Sequence, residues 1–232
     1  MPQLLASLGH DVSYQLGNSW DSPSRQRPEL ALMAMSVVAE WSLLENFVNT
    51  LFVSMLGSDA PAGAAIFATI RSQAGQRDAI DAVAGTHITS EDLRDGVLAA
   101  LDVYKAASKT RNRLVHWIWG HSPNLPDAVL LADPVVRTAH DANRQRAVHE
   151  RDIDEIKRRD VDLAGVFIYR PHDFEAASQS IQRAITLVAQ ARMTVSRMNV
   201  PHMFDQELTQ LLAEPEIQRG VARLRRGRQI DP

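Results

Sequence analysis

The chain has 232 residues, of which 45% are hydrophobic and 23% are charged, and these values are typical of a globular protein. Its formal net charge is −3 at pH 7, so the chain as a whole carries no positive excess for nucleic acid. The lack of cysteine excludes disulfides, thiolate catalysis and cysteine metal sites, and it fits a reducing compartment. Because neither a secretory leader nor a membrane-length apolar run is evident, we expect a cytoplasmic protein that does not enter a membrane.

The first half of the chain is predicted to be helical after an irregular N-terminal arm over residues 1–28, a polar stretch interrupted by Gly9, Gly17, Asn18, Pro23 and Pro28. A long helix is predicted from Glu29 to about Gly57, from apolar residues at spacings of three and four: Leu30, Met33, Val37, Trp41, Leu44, Val48, Leu51 and Met55. Two shorter helices should follow over residues 64–72 and 77–83. Glu91 and Asp92 then provide the acidic first turn of another helix, whose helical spacing continues as far as Val115.

The pattern changes after His116, where three short apolar runs predict strands at 117–119, 128–132 and 166–169. A charged, partly helical stretch is expected between the last two. A further helix is predicted to open at Asp173 and to end before Pro201. The expected fold is therefore mainly α, an up-and-down helical bundle over 29–200 with a small β hairpin or three-stranded insert at about 117–170, and with a short helical basic C-terminal extension over 201–232.

Basic residues are concentrated in two places. The first segment, residues 102–121, contains one acid, Asp102, and four basic residues: Lys105, Lys109, Arg111 and Arg113. The second segment is the tail from Glu216 onward, which contains Arg219, Arg223, Arg225, Arg226 and Arg228. Such patches could guide an anion to one face of the protein. Solvated surface charge is the simpler interpretation of the tail.

An arginine and a histidine five residues apart occur three times, as Arg111/His116, Arg144/His149 and Arg197/His202. Such a pair is a weak signal by itself. Pro201 breaks the helix that would order the last pair, and the middle pair lies in a charged stretch without an apolar stripe. The first pair lies late in a well-patterned helix, so it is the strongest candidate.

On that helix Asn112 and His116 project within about 40° of each other, and Lys105, Lys109 and Arg113 lie close to the same polar face. Arg111 interrupts an apolar line and needs a partner or a water-filled groove. Glu45, on the apolar stripe of the first long helix, is the predicted supporting partner. The pair could equally be a buried salt bridge with only a structural role.

The R-N-x-x-x-H sequence at Arg111–His116, near the end of a late bundle helix, resembles the motif of the HEPN superfamily (higher eukaryotes and prokaryotes nucleotide-binding domains). The helix order over Glu29–Asn199 is similar to the family's bundle. The strand insert resembles an abortive-infection or toxin-like branch. The resemblance implies a metal-independent endoribonuclease without cofactors, with RNA as substrate, usually a homodimer and common in toxin–antitoxin and antiphage systems.

The resemblance also implies roles for the three motif residues. Arg111 would bind the scissile phosphate and stabilise its developing charge. His116 would exchange a proton with the 2′-hydroxyl or the leaving oxygen, since imidazole titrates near neutral pH. Asn112 would orient the imidazole or the phosphate. A cognate antitoxin protein is a possible partner.

Flanking residues extend the candidate site. Lys105, Lys109 and Arg113 are predicted to bind substrate, and Trp117 and Trp119 could stack on bases, although tryptophans in strands more often belong to a core or an interface. His121 is a further candidate. Two alternatives stay open: a non-catalytic module that binds RNA or a nucleotide, and a helical dimerisation or interaction protein.

Overall fold

The computed structural model describes residues 2–8, 12–17, 22–151 and 165–230. In this part of the chain the helices are α1 (Pro23–Gln26), α2 (Pro28–Met55), α3 (Ala60–Phe67), α4 (Gln73–His87), α5 (Glu91–His116), α6 (Pro134–Glu150), α7 (Pro171–Ser196), α8 (Pro201–Ala213) and α9 (Pro215–Ile230). Short 3₁₀ turns lie at Leu5–Leu8 and Gly57–Asp59. The mainly α fold with a small β insert is confirmed. Most of the predicted charged excursion forms α6, and its remainder lies outside the described residues.

The strands form one antiparallel sheet. They are β1 (Gln3–Leu4), β2 (Gln15–Leu16), β3 (Ile118–His121), β4 (Val129–Ala132) and β5 (Val166–Tyr169), in the order β1-β5-β4-β3-β2. The three predicted strands make its centre, and the N-terminal stretch supplies both edges. The predicted irregular arm over 1–28 therefore contains two short strands, a 3₁₀ turn and α1 among its described residues, and is irregular between them. Gly120 permits the β2 pairing, because a Cβ atom there would lie 2.5 Å from the Gln15 carbonyl oxygen.

The chain divides into two compact units, each assembled from separate segments. The first unit comprises Met1–Val38 and Thr110–Ser178, and the second comprises Ala39–Lys109 and Gln179–Pro232. This division differs from the predicted bundle with an arm and an extension. The cause is that three long helices, α2, α5 and α7, each contribute one end to each unit.

The core of the first unit lies against one face of the sheet. Leu130 and Ala132 of β4 and Val166 and Ile168 of β5 are buried there with Leu5. The alternation of side chains along a strand places Phe167 of β5 on the opposite face of the sheet. The sheet thus has a core face made by the strands and the N-terminal stretch, and a second face available to helices of the same unit.

The second unit is a bundle of helices. The predicted α2 stripe is confirmed in it, since Trp41, Leu44, Val48, Leu51 and Met55 are all buried. The Trp41 ring stacks on Tyr104 of α5, with ring centroids 4.9 Å apart. At the start of α9, Glu216 binds Arg183 of α7 at 2.7 Å. A Cβ atom on Gly220 of α9 would lie 2.6 Å from the Ala99 Cβ atom, so α9 and α5 pack at close range.

Among the described residues α2 alone is long and apolar enough to cross a membrane, with a mean hydropathy of 1.3 over 18 residues. Glu40 and Glu45 interrupt this helix, so it contains no uncharged apolar run of about 18 residues, as the sequence predicts. Core helices pass the same test. The regular burial of one side of α2, from Leu30 to Met55, is the pattern of a helix that packs on other helices.

Candidate functional site

The candidate motif occupies the last two turns of α5, which ends at His116 as the sequence predicts. The Arg111 Nη1 atom donates a hydrogen bond to the Asn112 Oδ1 atom at 3.1 Å. Both side chains are half-buried, and His116 is exposed. The motif therefore combines a guanidinium that is held by an amide oxygen with an imidazole that is accessible to solvent.

Two hydrogen bonds from residues that follow α5 fix the C-terminal end of this helix. The Trp117 amide still donates to the Arg113 carbonyl at 3.0 Å, and the Trp119 indole donates to the Leu114 carbonyl at 2.9 Å. The second bond satisfies one of the carbonyls that a helix C-terminus leaves without an amide partner. Trp119 therefore caps α5 and orients the start of β3. This contact favours a structural role for Trp119, in a core or an interface, over the predicted stacking on bases.

Arg113 packs against aromatic rings of its own unit. Its guanidinium carbon lies 4.9 Å from the Trp117 ring centroid and 4.7 Å from that of Phe167, and the two rings are 5.5 Å apart. Burial raises the pKa of the Tyr169 hydroxyl, and the Arg113 guanidinium opposes that shift. Arg113 and Trp117 were predicted to bind substrate. In the structure their side chains are instead engaged in cation–π packing that holds α5 on the sheet.

The remaining predicted residues near the motif have mixed surroundings. Val115 is exposed, so the predicted apolar line on α5 ends before it, and Leu114 is buried instead. His121 lies on β3 opposite Gln15 and is half-buried, and its Nδ1 atom has no hydrogen-bond partner among the described residues. Of the two predicted histidines, only His116 is exposed.

Glu45 does not have the predicted environment. It is exposed on α2, although Trp41, Leu44 and Val48 around it are buried. The sequence places Glu45 one residue beyond the buried stripe, at a helical angle of about 100° from Leu44. The expectation of a buried acidic residue is therefore wrong, and the pairing of Glu45 with Arg111 stays a prediction.

Lys105 and Lys109 are exposed on the second unit's part of α5, and neither forms an ion pair with another described residue. They line an open groove of about 820 Å³ together with residues of α4 and α9. Three further cations line this groove, Arg77, Arg223 and Arg228. Sequence reasoning placed the two lysines on a substrate face, but it did not place these arginines beside them.

The basic tail is part of a helix whose arginines mostly have acidic partners. Arg225 binds Asp92 at 2.5 Å and Asp95 at 3.0 Å, and Arg228 binds Glu91 at 2.8 Å and also Asp95. The five tail arginines are all exposed, as the interpretation as surface charge predicts, but Arg223, Arg225 and Arg228 are also paired with acids. The spacing of acids along α5 and of arginines along α9 was a signal for this pairing. It becomes specific only once the two helices are known to pack together.

In the part of the chain that the structure describes, no group of three His, Asp or Glu side chains could hold a metal ion. Of the other two Arg/His pairs, Arg144 and His149 lie on α6, whereas Arg197 and His202 are separated by the break between α7 and α8, as Pro201 predicts.

Comparisons with protein-family models, with curated protein sequences and with solved structures find no match to this chain.

Proposed function

We propose that this protein is a HEPN-like, metal-independent endoribonuclease that acts through Arg111, Asn112 and His116. The observation that carries the proposal is the C-terminal end of α5, where the Arg111–Asn112 hydrogen bond holds a guanidinium and His116 is exposed. A fixed cation can stabilise the charge that develops on a phosphodiester, and an accessible imidazole can perform one of the two proton transfers in cleavage by the 2′-hydroxyl. The HEPN resemblance of the R-N-x-x-x-H sequence supports the same chemistry.

In this reaction the 2′-oxygen attacks the adjacent phosphorus, and the bond from phosphorus to the 5′-oxygen breaks. The products are a 2′,3′-cyclic phosphate and a 5′-hydroxyl. His116 takes the proton from the 2′-hydroxyl or gives one to the leaving oxygen. Arg111 stabilises the negative charge that develops on the phosphate, and its bond to Asn112 keeps the guanidinium in place before substrate arrives.

One imidazole carries one proton at a time, so a second copy of the chain would supply the complementary acid or base. An apolar surface of the first unit favours such a homodimer, since Leu32 and Met35 are 69% and 64% exposed. Met35 also lines a cleft of about 570 Å³ with Val115, the residue that precedes His116. Large apolar side chains in contact with solvent are typical of association surfaces. We propose RNA and a second copy as partners, with a cytoplasmic location and a cognate antitoxin as further expectations.

The test is the cleavage of a single-stranded RNA in the presence of a chelator. We expect His116→Ala to lower the rate by roughly 10²- to 10⁴-fold, which is the usual contribution of general acid–base catalysis. His87→Ala is the matched control, because His87 is likewise an exposed histidine at the end of a helix, α4. It should leave the rate within about twofold of wild type if only the α5 site is catalytic.

Three outcomes contradict the proposal: cleavage that requires an added divalent metal, cleavage that survives His116→Ala, and products that end in a 5′-phosphate. RNA binding that weakens with salt but yields no products would instead favour the non-catalytic binding module. An Arg111→Ala variant that unfolds would favour a structural role for that residue.

A further inference from the structure

The groove of about 820 Å³ in the second unit contains more positive charge than its acidic residue neutralises. Asp102 lies between two arginines, with Arg77 on its Oδ1 atom and Arg223 on its Oδ2 atom. Two guanidinium groups and one carboxylate leave one net positive charge. Lys105 and Lys109 raise this excess to three, because neither has an acidic partner among the described residues.

Asp102 acts as an anchor for the two guanidinium groups. Each of them uses one of its terminal nitrogens on the shared carboxylate. A guanidinium has five N–H donors, so most donors of Arg77 and Arg223 remain for another acceptor. Because the two side chains are already held by Asp102, an incoming anion would cost them less conformational entropy than two free arginines would lose.

The shape of the groove favours a ligand with repeated anions. Lys105 and Lys109 are separated by one helical turn, which is a rise of about 6 Å along α5. Arg228 also lines the groove, but it is paired with Glu91 and Asp95. The remaining lining residues, Ala106, Leu224 and Gly227, are small or aliphatic, and no aromatic side chain is among the described residues of the lining. The groove therefore offers no ring on which a base could stack.

We propose that this groove binds the phosphate backbone of a single-stranded nucleic acid, without regard to base sequence. Lys105 and Lys109 contact successive phosphates, and Arg77 and Arg223, positioned by Asp102, bind the same strand from the α4 and α9 sides. The binding site lies wholly within the second unit. It stands apart from the RNA cleavage proposed above and requires no turnover.

The probe is a fluorescent single-stranded DNA of mixed sequence, titrated with the full chain and followed by anisotropy at several salt concentrations. DNA lacks the 2′-hydroxyl that the proposed cleavage needs, so this experiment measures binding even if the protein is a ribonuclease. The test variant is the double substitution Lys105→Ala/Lys109→Ala, in which both residues are exposed. The control is Arg219→Ala/Arg226→Ala, which removes two exposed cations of α9 that do not line the groove.

We expect the lysine variant to bind roughly tenfold more weakly than wild type at low salt. The slope of log K against log salt should fall by about 1.4, because each phosphate contact on a single strand contributes about 0.7. The control should change affinity by less than about twofold, although it removes the same net charge. Homopolymeric and mixed-sequence strands should bind alike.

Several results would overturn the proposal. They are the absence of binding by wild type at low salt, equal losses in the two double variants, and binding that is insensitive to salt. Displacement of DNA by stoichiometric inorganic triphosphate would assign the groove to a small phosphate ligand instead of a strand. Displacement by an equal concentration of polyglutamate would assign it to an acidic polypeptide. Circular dichroism of both variants checks that each keeps the wild-type helix content.

Discussion

The two halves of α5 differ in what their charged side chains contact. In the first half, Asp95 and Asp102 hold arginines of α4 or α9 through ion pairs. In the second half, Lys105 and Lys109 have no acidic partner among the described residues, and Arg113 packs on aromatic rings. One helix therefore carries an acidic stretch whose carboxylates hold neighbouring helices and a basic stretch whose two lysines have no acidic partner among the described residues. Net charge alone does not separate these two roles.

The largest expected effect tests the acidic half. Asp95 is 0% exposed and binds both Arg225 and Arg228. We expect Asp95→Ala to lower the free energy of unfolding by about 2 kcal/mol, measured by urea denaturation. This value is below that for a fully buried pair, because the two arginines are 47% and 39% exposed and can be rehydrated.

The control for this variant is Asp81→Ala. Asp81 lies 3.8 Å from Arg94 in an exposed pair, so its loss should cost less than about 0.5 kcal/mol. Equal losses in the two variants would show that burial of the carboxylate does not matter. In that case the proposed division of α5 into a stabilising half and a ligand-binding half would have no basis.

A smaller effect tests the close approach of α9 to the acidic half of α5. In Gly220→Ala the added Cβ atom would lie 2.6 Å from the Ala99 Cβ atom and 3.1 Å from its Cα atom. Relief requires one of the helix backbones to move. Overpacking of this kind costs about 1–3 kcal/mol, and the better helix propensity of alanine returns about 1 kcal/mol. We therefore expect a net destabilisation of about 1 kcal/mol in thermal or urea unfolding.

Gly227→Ala is the matched variant on the same helix, because its Cβ atom would meet nothing within 4 Å. It should stabilise the protein by up to about 1 kcal/mol through helix propensity alone. The two substitutions thus have opposite predicted signs for the same chemical change. If both stabilise the protein, the close packing of α9 on α5 is wrong.

The sequence predicted those elements whose side chains repeat with a clear period. The α2 stripe, the end of α5 at His116 and the three central strands were predicted for this reason. Strands β1 and β2 were missed because two residues are too short to display an alternation. Their pairing depends instead on partners far along the chain, such as Ile168 for Gln3.

The candidate site was predicted only in part, for a related reason. Residues close in sequence, such as Arg111, Asn112 and His116, share a helix whose geometry is known in advance. The partners of Asp102 are not close in sequence, since Arg223 is 121 residues away. Side-chain type did not indicate that Arg113 would pack on Trp117 and Phe167. Such contacts follow from tertiary packing, which a local pattern does not specify.

An effect of similar size, which depends on pH in the acid range, concerns the other end of α9, where Glu216 holds Arg183 of α7. This pairing lowers the pKa of Glu216 to about 2 through hydrogen bonds from the guanidinium. A carboxyl whose folded pKa is depressed stabilises the folded state above its unfolded pKa, and this stability is lost as the pH falls through the folded value. The relevant window therefore runs from about 4.5, the ordinary value, down to about 2.

We expect Glu216→Gln to be less stable than wild type by about 1 kcal/mol above this window and equal to it near pH 2, in urea titrations across the acid range. This expected loss is well below the free energy equivalent to the whole pKa shift of Glu216. The reason is that the Glu216 and Arg183 side chains are 29% and 35% exposed, so solvent screens their attraction. Glu175→Gln, which removes an exposed carboxylate without an ion pair among the described residues, should leave the pH profile unchanged. If the wild-type and Glu216→Gln curves stay parallel down to pH 2, Glu216 does not anchor α9, and only the carboxylates of α5 perform that role.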